Sequence, residues 1–107
     1  MSEQETRTPE IVFDGDDEAY LGWLCDHPDG YVLNTWRDPE PEFMVLHKAT
    51  CGQITAFSNA SSSGAFTERA YIKICAENIA HLEAWVKRHG RPDGSFSSIC
   101  PACNPRR

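Results

Sequence analysis

The stretch YVLNTWRDPEPEFMVLHKATC, residues 31–51, decides the fold. Tyr31 to Arg37 is rich in aromatic and branched side chains, which favour an extended strand. Asp38-Pro39-Glu40-Pro41-Glu42 cannot continue that strand, because each proline fixes φ and lacks an N–H donor. It reads as a stiff acidic turn. Phe43 to His47 is apolar and extended again, so residues 31–47 predict an antiparallel hairpin. The returning strand runs into His47-Lys48-Ala49-Thr50-Cys51, where a histidine and a cysteine stand four residues apart.

A second pair of soft ligands, Cys100-Pro101-Ala102-Cys103, stands far along the chain. His47, Cys51, Cys100 and Cys103 together have the composition of a closed tetrahedral zinc site, so zinc is the expected cofactor. In an extended strand His47 and Cys51 would lie about 13 Å apart. Donors on one zinc lie roughly 4 Å apart, so the chain must turn at Lys48-Ala49-Thr50. Cys75, at the end of another expected strand, is the reserve ligand in place of His47. A redox role for the Cys100/Cys103 pair is the alternative chemistry. Four protein ligands leave no open coordination position, so the expected site is structural. His27, His81 and His89 read as helix-end or helix-surface residues.

Outward from this frame, Glu10 to Phe13 predicts a short strand and Asp14-Gly15 a turn. Asp16 or Asp17 can cap a helix over Asp17–Asp26, with Tyr20, Leu21 and Leu24 on one face and Trp23 beside it. His27-Pro28-Asp29-Gly30 stops that helix. Further on, Gln53–Phe57 predicts a short strand and Ser58–Ala65 a flexible loop. Ala70 to Cys75 predicts a strand with Ile72 and Ile74 on one face and Tyr71, Lys73 and Cys75 on the other. Asn78 caps a second helix reaching His89, with Ile79, Leu82 and Val86 as its apolar stripe and Gly90 as its stop. Strand, helix, Trp, His, Pro-Asp-Gly and strand follow one another at 11–34, and the order returns at 71–99. The expected class is α+β: a small antiparallel sheet with both helices on one face, closed by zinc.

Residues 1–9 read as a disordered tail and 10–107 as a single domain, a size at which a metal clip supplements a limited core. A hydrophobic share of 40% argues for folding, not disorder. No segment has the length and apolarity of a membrane span, and Met1–Glu10 has no signal-peptide character, so a cytoplasmic setting is expected. Cysteine usage then points to metal, not a disulfide framework. The charge is split. Residues 1–46 hold twelve acids and two bases, while residues 47–107 hold four acids and eight bases. An acidic average argues against a general nucleic-acid binder, but the split permits a local basic face.

The succession Tyr31-Val32-Leu33-Asn34, His47-Lys48-Ala49-Thr50-Cys51, Tyr71-Ile72-Lys73-Ile74-Cys75 and Cys100-x-x-Cys103 resembles a family of small bacterial, especially actinobacterial, domains of unassigned function. Some of these stand beside restriction-type nucleases. The resemblance covers about residues 11–105. It implies the same His/Cys ligand set and an association with nucleic-acid metabolism. Two partner classes follow as expectations, nucleic acid or another protein. For nucleic acid, the candidate phosphate contacts are Lys48, Arg69, Lys73, Lys87, Arg88 and Arg91, with Arg106 and Arg107 beyond them, and Trp36 or Tyr71 could stack on a base. For a protein, the acidic first half would meet a basic partner. A small metal-dependent or nuclease-related enzyme is the remaining alternative, though no nucleophile stands with a base in a recognisable motif.

Overall fold

The computed structural model of the chain describes residues 10–51, 71–101 and 103. The expected tail 1–9, the strand over Gln53–Phe57, the loop Ser58–Ala65, and Arg69, Arg106 and Arg107 lie outside the described residues. The elements follow the sequence closely. In chain order they are β1 (Ile11–Phe13), α1 (Asp17–Asp26), β2 (Tyr31–Trp36), β3 (Met44–Lys48), β4 (Tyr71–Ala76), α2 (Ile79–Arg88) and β5 (Ser98–Ile99). Asp16 caps α1 by accepting from the Ala19 N–H at 3.0 Å, and Asn78 caps α2 by accepting from Ala80 at 2.8 Å.

The five strands form one sheet in the order β1-β4-β2-β3-β5. β2 and β3 pair antiparallel with Val32 opposite His47 and Leu33 opposite Leu46, which is the expected hairpin. β4 lies antiparallel to β2 on its other side, with Cys75 opposite Val32 and Lys73 opposite Asn34. β5 pairs parallel to β3, so the sheet is mixed and not purely antiparallel. Only two residues long, β5 carries no periodic signal of its own. Its position is fixed by Ser97, whose N–H and hydroxyl both donate to the Met44 carbonyl while its oxygen accepts from the Met44 N–H.

Strand alternation separates two faces. Ile11, Phe13, Val32, Asn34, His47, Lys73 and Cys75 share one face. There Tyr20, Trp23 and Leu24 of α1 pack with Val32 and Cys75. Leu33, Met44, Leu46, Ile72, Ile74 and Ala76 share the other face, under Leu82, Trp85 and Val86 of α2. The helices therefore sit on opposite faces, which corrects the expectation of both on one face. The reason is topological. β1–α1–β2 and β4–α2–β5 each join parallel strands and move across the sheet in the same direction, but the two strand pairs point oppositely. Crossovers of one hand must then use opposite faces.

The two units share their ends as well. Trp23 stacks on His27 with ring centroids 4.3 Å apart, and Trp85 on His89 at 3.8 Å. In each, the histidine Nδ1 lies within hydrogen-bond distance of the tryptophan's own carbonyl four residues back, at 2.9 and 2.7 Å. Gly30 follows the first of these ends, and a Cβ there would stand 2.6 Å from Trp23 Cη2 and 3.2 Å from the Ala76 and His27 carbonyls. Gly30→Ala should therefore destabilise by about 1–3 kcal/mol through overpacking. Urea unfolding of the pair of proteins checks it, and an unchanged midpoint would refute the close approach.

Candidate metal centre

The turn required after the hairpin is present. Cys51 N–H donates to the Lys48 carbonyl at 3.0 Å, which folds Cys51 back beside His47. The Ala49 N–H donates to the Gly30 carbonyl at 2.9 Å, so the end of the first helical unit holds this turn in place. The second ligand pair arrives on β5. Leu46 stands beside Ile99, and the Cys100 N–H continues the ladder to the Leu46 carbonyl at 2.9 Å. One further register step places Cys100 beside His47.

The ligand atoms of His47, Cys51, Cys100 and Cys103 all lie within 4.8 Å of one another. Sγ of Cys51 and Sγ of Cys100 are 3.9 Å apart. A tetrahedral site with metal–sulfur bonds of about 2.3 Å has edges of about 3.8 Å, so shifts of about an ångström or less close the remaining distances. The four residues can hold a metal ion. His47, Cys51 and Cys100 are buried and Cys103 is half-buried.

The surroundings suit this use. His47 Nδ1 is buried and has no hydrogen-bond partner among the described residues, a deficit that coordination through this nitrogen would remove. Burial, reinforced by the positive charge of Lys73, pushes the His47 pKa down to about 4. The imidazole is then neutral at pH 7, the form a metal requires. The Lys48 N–H donates to Cys103 Sγ at 3.2 Å, a contact that favours the thiolate. Cys75, the reserve ligand, is fully buried on β4, separated from His47 by Val32 of β2, and is not one of the clustered residues. Burial pushes its thiol pKa well up, as expected of a core cysteine. Cys25 is exposed on α1.

The six candidate phosphate contacts have different fates. Lys73 is only 4% exposed, beneath α1, with its ammonium over the rings of Tyr20 and Tyr71 at 5.9 and 5.4 Å. Burial lowers its pKa to about 8, opposed chiefly by the negative charge of Asp17. A phosphate contact needs an exposed ammonium, so Lys73 does not serve as one: α1 covers its face of β4. Arg91 turns inward as well. Its Nε donates to the Ser95 carbonyl at 2.6 Å, and its guanidinium also reaches Ser95 Oγ and the carbonyls of Phe96 and Pro41. Arg88 pairs with Glu10. Lys48 is half-buried, Lys87 is exposed, and Arg69 lies outside the described residues. Arg37, half-buried at the end of β2, pairs with Asp14.

Sequence reasoning missed the roles of Arg91 and Ser97. The spacing Arg91-Pro92-Asp93-Gly94-Ser95 marks only a turn, and nothing local says that its arginine reaches back to residue 41. Among the described residues, no helix is long and apolar enough to cross a membrane. Comparison of the chain with models of known protein families, with curated proteins and with solved structures found no match in any of the three.

Proposed function

We propose that this protein is a non-catalytic binding module, stapled shut by one structural zinc ion, that serves as an adaptor for a basic protein partner. The observation that carries the metal half is the convergence of His47, Cys51, Cys100 and Cys103 from two distant parts of the chain to within 4.8 Å. A donor set of three thiolates and one imidazole suits zinc, and four protein donors leave no position for substrate or water.

Charge placement supports the adaptor half. Asp14, Asp16, Glu18, Asp26, Asp29, Asp38, Glu40, Glu42, Glu77 and Asp93 are all exposed, whereas Lys87 and Arg88 are the only exposed cations among the described residues. A surface of this sign repels phosphates and attracts lysine and arginine. To test the reading, the zinc-loaded protein is titrated with a fluorescent nine-residue oligoarginine peptide and with a labelled oligothymidine strand. The expected result is peptide binding that weakens as salt rises, with no binding of the strand at the same low salt. Tighter binding of the strand would overturn the protein-partner reading in favour of nucleic acid.

A further inference from the structure

One end of the α1 face lies about 13 Å from His47, four strand residues along the sheet, and has a different character. Trp36, the last residue of β2, is 36% exposed. Its ring stacks on Tyr71 of β4 with centroids 4.7 Å apart and 16° between planes, and Phe43 adjoins it at 4.9 Å. The loop between Trp36 and Phe43 carries Asp38, Glu40 and Glu42, all exposed.

This loop is held, not loose. Pro39 and Pro41 restrict its backbone, and the Phe43 N–H donates to the Glu40 carbonyl at 3.0 Å. The Arg91 guanidinium donates to the Pro41 carbonyl from the far side, and Arg37 pairs with Asp14. An exposed indole whose stacking partner fixes its plane, beside three exposed carboxylates on a braced loop, is a preorganised receptor for a cation. Arg91 is a positioning residue for it.

We propose that the β2–β3 hairpin tip is the docking surface for an arginine- or lysine-bearing segment of the partner, resting on the adaptor reading above. Trp36 takes one cationic side chain on its exposed part, and Asp38, Glu40 and Glu42 neutralise its neighbours. Charge complementarity selects this occupant over nucleic acid, whose phosphates the same carboxylates repel.

The test uses the full chain, zinc-loaded, and the nine-residue oligoarginine peptide. Trp23 and Trp85 are 8% and 4% exposed, so quenching of tryptophan fluorescence by the peptide reports chiefly on Trp36. Trp36→Leu, which keeps an apolar side chain without the π face, and the triple variant Asp38→Asn, Glu40→Gln, Glu42→Gln should each weaken binding at least tenfold. Trp36→Phe should fall between Trp36→Leu and the parent. A control that removes exposed acids elsewhere, Glu18→Gln with Asp29→Asn, should change it less than threefold. Retained zinc stoichiometry verifies that each variant is folded. Parental binding by the hairpin variants, or an equal loss in the control, would overturn the surface while leaving the adaptor reading in place. Failure of the parent protein itself to bind the peptide at low salt would overturn both.

Discussion

Cys100→Ser is expected to abolish tight metal binding and to lower the thermal midpoint of the domain by roughly 15–30 °C, the shift that a loss of about 4 kcal/mol produces at this size. The residue is not an ordinary core cysteine. It is buried beside Cys51 and continues the β5 ladder onto β3. Structural zinc contributes on the order of 10–16 kcal/mol in small zinc-folded peptides, against a total domain stability of about 5–15 kcal/mol. On the proposed zinc reading, losing one of three thiolates removes a large share of what holds β5 and the His47–Cys51 turn together. Circular dichroism melts of the variant and of the parent with and without chelator measure it. Cys25→Ser, at an exposed position, should melt as the parent does. A Cys100→Ser protein that melts at the parental temperature would show that the fold does not depend on the site.

Trp85→Ala should cost about 3–5 kcal/mol. Trp85 belongs to the buried cluster in which Leu82 and Val86 hold α2 on Leu33, Leu46 and Ile74. A helix this short draws its stability from such packing and not from its own propensity. The stacked His89 lies outside that cluster, half-buried at the helix end. Its replacement by alanine should cost about 0.5–1.5 kcal/mol, the range of an aromatic pair. Urea unfolding of both variants separates the two terms. A larger loss for His89→Ala than for Trp85→Ala would mean that the end stack, not the core contact, secures α2.

Much of this was legible in the sequence, for local reasons. Proline turns and strand alternation set the hairpin register, and Asp16 and Asn78 marked the helix starts because their side chains take up free N–H groups. The cluster of His47, Cys51, Cys100 and Cys103 was legible as two close pairs, since each pair needs only a local turn. What was not legible depends on strand order. The insertion of β4 between β1 and β2, and of β2 and β3 between β4 and β5, sends the helices to opposite faces. The same arrangement turns Lys73 from a surface residue into a buried one. Arg91 reads as a phosphate contact, but its partners are carbonyls of a loop about fifty residues away and of its own turn.

The most direct test is native mass spectrometry of the purified protein with thiol counting. One zinc ion per chain is expected. Of the five free cysteines, the exposed Cys25 alone should react readily in the metal-loaded protein, and all five after chelation and unfolding. A metal-free protein whose Cys51, Cys100 and Cys103 react as readily as Cys25, or one that carries a Cys100–Cys103 disulfide, would contradict it.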